Sequence, residues 1–528
     1  MKGRLFALPT VVCCLVWTPA GSADEVDDLI LSLKPVPVDN AAWAANLLKA
    51  ADGLSGRPAA RARIVEKAYE LGVKQAKGYP TAIRAAEAML AAVGEGKAAW
   101  RKKLLAACKL DLQAAGSARK KSAAKAYVRE ALAAADELAA AWEIDEALAL
   151  CQEAARMARR YAPARRDEMS LRLKDLAERR KTHQDIRRCR GLLAANADNR
   201  VARERLIQLY VQDVGDVGEA AKLITPDVSE KLRTYVPLAA KAVDDVAAEA
   251  CMELGDWYLA MANSARPTSK ARAMARAAAY YERCMSRSAD PIKSALAKSK
   301  LARATAWRPA LPAELKRGLL LHYDFDKKAG DKRVADVSGR RNDGRYEGAR
   351  RVDAGRVGGA CELDGAGYVA APSTQRLRLA GAMTICVWAR IAESKAKWQA
   401  IALNRRSGIE SRGDFVWAIG REQMQYIYWS GDDASERSDG APRPSAGQWH
   451  HLALVVDSAE DAVTQYVNGA LAVEDRKFAK DLTVSKPLIH VGRYSDPGLI
   501  GLVDDVMIHA RPLSAYEINL LYRLQGGR

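Results

Sequence analysis

Up to the segment Trp307-Arg308-Pro309-Ala310-Leu311-Pro312-Ala313 the apolar residues of this chain recur every three or four positions, and beyond it they alternate. One backbone conformation cannot satisfy both patterns. A 3.6-residue period lines one side of a helix, and a two-residue period lines one side of a strand. The chain must therefore hold an α part and a β part with separate cores, and two prolines mark where the first pattern stops. With 528 residues, 49% of them hydrophobic, there is enough apolar surface for both, which excludes wholesale disorder. Aromatics are only 6%, so Ala and Leu carry much of the apolar count and favour helices.

The helical pattern runs from about Asp28 to Ala306. Ile83, Ala86, Met89 and Leu90 follow Tyr79-Pro80, where a proline suits the first helical turn. Ile144, Leu148, Cys151, Ala155 and Ala158 line another helix. Breaks at Gly53-Leu54-Ser55-Gly56, Gly72, Gly94-Glu95-Gly96, Gly215-Asp216 and Ala265-Arg266-Pro267 predict helices joined by short turns and stacked as antiparallel hairpins. Leu254-Gly255-Asp256-Trp257-Tyr258-Leu259-Ala260, followed by Ala275 to Glu282, resembles a tetratricopeptide-type pair. In such a pair a small residue lets the helices approach and aromatics fill the groove between them. With Leu206 to Tyr210 and Gly215 to Ala220 upstream, the block from about Asn199 to Ala302 resembles a helical module of large exported bacterial proteins. No clean period of about 34 residues covers the whole half, so an irregular bundle satisfies the same pattern.

Beyond Gly318, runs such as Leu319 to Phe325, Met383 to Ala389, Phe415 to Ile419 and His451 to Val456 read as strands. Gly, Asn and Asp clusters separate them, including the hairpin turn Asn468-Gly469. Many short strands of this kind predict an antiparallel sandwich. A final helix follows Pro512-Leu513, with Ser514 and Glu517 at capping-box spacing and Ile518, Leu520 and Leu521 on its apolar side.

The N-terminus sets the compartment. Lys2 and Arg4 precede an apolar run from Leu5 to Trp17, and Thr18-Pro19-Ala20-Gly21-Ser22-Ala23 offers small residues before Asp24-Glu25. This is the pattern of a secretory signal peptide, too short in its apolar part to span a membrane. No later segment approaches a membrane span, so an exported chain, secreted or in the periplasm or envelope, is expected. Beyond Cys13 and Cys14 the chain has Cys108, Cys151, Cys189, Cys251, Cys284, Cys361 and Cys386, an odd set with long spacings and no CxxC. That excludes a dense disulfide framework or a zinc site and points to small core residues, with Cys251–Cys284 and Cys361–Cys386 left open as pairs.

The β half carries an ordered series of short motifs. His322-Tyr323-Asp324-Phe325-Asp326 is followed by Val334-Ala335-Asp336-Val337-Ser338-Gly339, Asn342-Asp343-Gly344, and Cys361-Glu362-Leu363-Asp364-Gly365 with Tyr368-Val369. Met383-Thr384-Ile385 with Val387-Trp388, Gly447-Gln448-Trp449-His450-His451, Gln465 to Gly469 and Gly501 to Ile508 complete it. In this order they resemble the laminin-G-like jelly rolls of the concanavalin A-like superfamily. That resemblance implies glycan binding, adhesion or, in some members, glycoside hydrolysis, because fold alone does not give function.

Hydrolysis is argued against by the residues themselves. Retaining hydrolases need two carboxylates about 5 Å apart facing one groove, which a Glu-x-Asp-x-x-Glu strand supplies, and no such triplet occurs here. There is likewise no GxSxG, no HExxH and no complete phosphate loop. His450 and His451 should alternate across a strand and so cannot chelate one ion together. The resemblance further implies a structural Ca²⁺ between the first loop and a late Asp, held by Asp336, Asn342 and Asp505, with Asp326 as a further ligand. Asp336 and Asn342 serve equally as turn-forming residues. A glycan surface needs flat aromatics beside polar groups, and Trp429, Asp432 and Asp433 form the preferred rim, with Trp398 beside them. Along the strand Gln423 to Trp429, either Tyr426 and Tyr428 or Gln425, Ile427 and Trp429 must be core. Trp388 and Trp449 are expected in the core.

The expected architecture is thus a multidomain α and β chain: signal peptide over 1–23, an N-terminal α-helical repeat-like domain over 24–306, a linker over 307–317, and a C-terminal antiparallel β-sandwich, a jelly roll, over 318–528. The expected function is non-enzymatic binding of a glycan or an extracellular or envelope protein, with the helices as an interaction platform. The alternatives are a structural envelope or matrix protein that binds no sugar and, further off, a divergent hydrolase. The formal charge of +18 does not imply nucleic acid in an exported chain. Residues 315–528 hold 31 basic and 27 acidic side chains, so most of the excess lies on the helical half and suits anionic envelope polymers or acidic glycans.

Overall fold

A computed structural model describes residues 23–327, 332–393, 398–404, 414–431, 434–476, 482–484, 488–493 and 498–526. The proposed signal peptide and the rim residues Asp432 and Asp433 lie outside the described residues. Contacts divide the chain into two units, Met1–Met169 and Ser170–Arg528, and the division falls inside the helix Arg166–Ala195.

In the first unit the helices Ala23–Ser32, Asn40–Asp52, Pro58–Gly72, Tyr79–Ala92, Lys97–Ala114, Ser117–Ala140 and Ile144–Tyr161 follow one another through short turns. Asp39 caps the second by accepting the backbone N–H groups of Ala41 and Ala42, and Pro58 and Pro80 sit in first turns, where a missing N–H costs nothing. The buried faces are rich in alanine, as at Ala82, Ala85 and Ala86, which lets neighbouring helices approach closely. Arg101 closes one interface by pairing with Glu130 at 2.7 Å and Glu137 at 3.0 Å.

The second unit begins with helices and ends with the sandwich. Helix Arg200–Gln208 continues as a π-helical turn, Leu209–Val214, and the hairpin Ala248–Ala262 with Pro267–Arg287 follows. Gly255 is the point of closest approach in that hairpin: a Cβ there would collide with the Tyr281 ring. Tyr281 in turn donates its hydroxyl to Asp256 at 2.7 Å, while Tyr258 and Tyr280 stack at 5.9 Å. Residues 307–312 form neither helix nor strand, and the short helix Ala313–Lys316 leads into the first strand, Leu319–Tyr323.

Two antiparallel sheets then face each other. The first is ordered Ala470–Arg476, Ala462–Val467, Trp449–Asp457, Ala382–Ile391, Ile500–His509, Ala360–Asp364 and Arg350–Val352, with Leu319–Tyr323 also pairing with Ile500–His509. The second runs Ala434–Pro442, Gln423–Gly431, Phe415–Gly420, Trp398–Asn404, Ile489–Val491, Tyr368–Ala370, Gly344–Glu347 and Arg333–Val334. Tyr323, Ile385, Val387, Leu454, Phe415, Trp417, Tyr426 and Tyr428 fill the space between them.

The outer side of the first sheet is covered as well. Cys386, Ala453, Val455, Tyr466 and Met507 pack against Leu513 and against Ile518, Leu521 and Leu524 of the C-terminal helix Ala515–Leu524. Ser514 and Glu517 form the expected reciprocal capping box at its start. Leu171 joins this second core, Lys174 and Ser170 hold Glu314 at 2.5 and 2.8 Å, and Arg172 lies over the Tyr516 ring at 4.3 Å. Helices after Met169 and the sandwich therefore form one unit, although the change of hydrophobic period falls at 307–317.

Three expectations change here. The seven described cysteines are buried and none is in a disulfide, so neither open pair is bridged. Cys361 faces the core between the sheets while Cys386 faces the C-terminal helix, which separates them by the thickness of a sheet. Trp388 is buried as expected, donating its indole N–H to Gln525 at 2.7 Å, but Trp449 is only half-buried, with the Arg390 guanidinium 5.6 Å above its ring. It sits at the first position of its strand, where the core ends.

Candidate functional site

The strands of the second sheet settle the alternation left open above. Tyr426 and Tyr428 are both 1% exposed in the inter-sheet core, so Gln425 and Ile427 belong to the outer side. There Ala400, Leu403, Val416 and Ala418 form a small cluster of their own, buried at 0–6% exposure, with half-buried Trp398 and Ile427 packed against it. Register brings them together: Ala418 lies opposite Ala400 and Gln425, Val416 opposite Leu403 and Ile427, and Gly420 opposite Trp398. Gly420 is needed for this, because a Cβ would strike the Trp398 ring. Arg437, exposed, stands opposite Ile427. The backbone of Trp429 pairs with Ser435 of the neighbouring strand Ala434–Pro442, and its side chain, like Asp432 and Asp433, lies outside the described residues. The grouping of Ala400, Ala418 and Gly420 was not read from sequence, because small residues in a strand carry no chemical signal of their own.

The proposed cation ligands separate into two groups. Asp336 is committed to its own loop: Oδ1 accepts the N–H groups of His322 and Ser338, and Oδ2 accepts the N–H of Asn342 and the hydroxyl of Ser338. Asn342, fully buried, donates to the Leu320 carbonyl at 2.8 Å and accepts from Thr374 at 3.1 Å. These are the turn-forming roles. Asp326 and Asp505 instead meet around Arg308, a linker residue. Its Nε donates to Asp326, and its Nη2 reaches the Asp324 carbonyl at 2.8 Å, the Val357 carbonyl and Asp504 Oδ1 at 3.2 Å. Nη1 lies 2.5 Å from Asp505 Oδ2, and Asp505 Oδ1 is 2.7 Å from His322 Nε2. Among the described residues no three His, Cys, Asp or Glu side chains cluster as a metal site. The four residues expected to hold Ca²⁺ thus do not form one shell, and the two that converge already share a guanidinium.

Adjacent strand residues normally point to opposite faces, so Asp504 and Asp505 should not both reach Arg308. A shift of register between Asp504 and Met507, with Asp505 at φ 47°, breaks the alternation and turns both carboxylates inward. Burial, and then the Asp505 charge, push the Asp504 carboxyl well above its ordinary value. Burial opposes the charge of Asp505 too, but Arg308 and His322 hold that carboxyl below its usual range. Arg308 and Asp504 were not singled out from sequence. The linker arginine could have been suspected only from its place beside a segment that must dock.

A separate cavity of about 310 Å³ opens among the helices of the second unit. Val211, Leu232, Trp257 and Met261 supply its apolar wall, and Arg205, Gln208, Gln212 and Ser264 its polar one. Trp257 is held there by Tyr235 and Tyr258, at 5.6 and 5.1 Å between ring centroids.

Residues 363–519, less than a third of the chain, match the family model of the Concanavalin A-like lectin/glucanases superfamily. The C-terminal region is thereby a concanavalin A-like, laminin-G-type jelly-roll domain. Similar solved structures include domain 4 of AbnA, a GH43 extracellular arabinanase from Geobacillus stearothermophilus, in complex with arabinotriose; the identity is 20%, the match covers 39% of this chain and 98% of that one, and the TM-score is 0.32. The binding domain of botulinum neurotoxin serotype G matches at 15% identity over 39% of this chain and 51% of that one, with a TM-score of 0.33. A botulinum neurotoxin type C structure, described as dependent on two ganglioside molecules for cell entry, matches at 16% over 40% of this chain and 52% of that one, also with a TM-score of 0.33. The chain spans about half the length of these neurotoxin chains. No curated protein matches it.

Proposed function

We propose that this is an exported, non-enzymatic binding protein whose jelly roll recognises a glycan through the outer side of its second sheet. The observation that carries the reading is the half-buried Trp398 ring, packed with Ile427 against the cluster of Ala400, Leu403, Val416 and Ala418. A sugar ring presents a flat apolar face and a polar edge, and a half-buried tryptophan with the exposed Arg437 on the same sheet offers the matching chemistry. Trp429, Asp432 and Asp433 extend the proposed rim on sequence grounds. The lack of a Glu-x-Asp-x-x-Glu strand supports binding without hydrolysis. Export is proposed from residues 1–23, and no described helix is long and apolar enough to cross a membrane. The helices act as a platform for a protein partner, and the cavity beside Trp257 supports that second surface.

The test is binding of the full chain to a glycan array, followed by titration of the best glycan against Trp398→Ala. A loss of about tenfold or more in affinity with an unchanged melting temperature is expected. Binding to no polysaccharide, with capture of an extracellular protein by the same surface, overturns the glycan reading in favour of a protein ligand.

A further inference from the structure

We infer that the guanidinium of Arg308 stands in the sandwich where a divalent cation would otherwise be required, so that the jelly roll is held together without calcium. Oxygens from five residues converge on it: the carboxylates of Asp326, Asp504 and Asp505 and the carbonyls of Asp324 and Val357. A shell of carboxylate and carbonyl oxygens is what Ca²⁺ takes. Here one planar guanidinium meets that shell instead, donating through Nε and Nη2 and setting Nη1 beside Asp505. The side chains of Asp504 and Asp505 are 0% and 1% exposed, so whatever negative charge the pair carries has to be met from within the protein.

The other two expected ligands confirm the division of labour. Asp336 spends both carboxylate oxygens on backbone and hydroxyl donors of its own loop, and the Asn342 amide is engaged by Leu320 and Thr374. Because Arg308 belongs to the linker, its charge also ties the segment leaving the helix Pro291–Thr305 to the strand Ile500–His509. A bound ion could do the first task but not the second. Arg308 is thus both the counter-ion of the sandwich and the pin of the linker.

The full chain decides the matter by thermal unfolding with chelator and with millimolar Ca²⁺. The native melting temperature should stay within about 1 °C across both conditions, whereas a saturated calcium site would raise it by about 5–10 °C. Arg308→Ala should melt roughly 5–10 °C lower in chelator, and Ca²⁺ should recover part of that loss. Arg308→Lys, which keeps the charge but loses the fork, should fall between. A native chain that rises with Ca²⁺, an Arg308→Ala chain that melts like the native one, or one indifferent to Ca²⁺ overturns the inference. Where Arg308→Ala does not fold, the native measurement and Arg308→Lys carry the test.

Discussion

The absence of a side chain at Gly255 lets the Tyr281 ring lie against the neighbouring helix, and that single position sets how close the hairpin can pack. In an exposed helix, Gly→Ala gains about 1 kcal/mol from lower chain entropy. Here the methyl must displace a fully buried ring, so Gly255→Ala is expected to destabilise the second unit by about 1–3 kcal/mol, read as a lower urea midpoint. The role of Gly255 was legible because the glycine and the aromatics that meet it fall in one recognisable helix-pair pattern. Arg308 was not, because it bonds to oxygens 18, 49 and 196 positions away. Nothing local distinguishes it from any other linker arginine.

Whole elements show the same divide. The C-terminal helix was readable from Ser514 and Glu517, since a capping box is a contact between residues three apart. Ser514→Ala removes one half of it and should cost about 0.5–2 kcal/mol, with faster hydrogen exchange over 515–524 as the direct sign. Strand positions were readable from alternation, which also predicted that His450 and His451 part company. His450 bonds Ser445 at 2.9 Å, and His451 packs on Trp388 at 5.4 Å. Alternation failed at Asp504 and Asp505, because a shift of register in one strand is set by its neighbours and leaves no mark on hydrophobic period. It also left two answers for Gln423 to Trp429, since a strand with apolar residues on both faces does not say which face meets the other sheet.

For the whole molecule, burial of polar groups in the second unit sets a response to acid. Burial pushes the imidazoles of His451 and His490 down to about 4 and that of His509 down to about 3. In the unfolded chain these rings take up protons near pH 6.5, so between about pH 6.5 and 4 the unfolded state binds more protons and stability falls with pH. Burial works against the Glu314 charge, but Lys174 and Ser170 hold that carboxyl down to about 2, adding a loss as pH drops below its ordinary 4.5. The melting temperature should therefore decline steadily from pH 7 to pH 4, and His490→Gln, which cannot be protonated, should flatten part of the slope. A constant melting temperature over that range would mean the rings are already solvated. The sequence by itself determined the two kinds of secondary structure, the point where one yields to the other, the local caps and turns, and the jelly-roll motif order, because each depends on residues a few positions apart or on period alone. The tertiary structure decided which helices join the sandwich, which face of the second sheet turns outward, and that a linker guanidinium gathers three distant carboxylates. Those outcomes rest on contacts between segments far apart in sequence, where geometry and burial, rather than residue type, choose the partner.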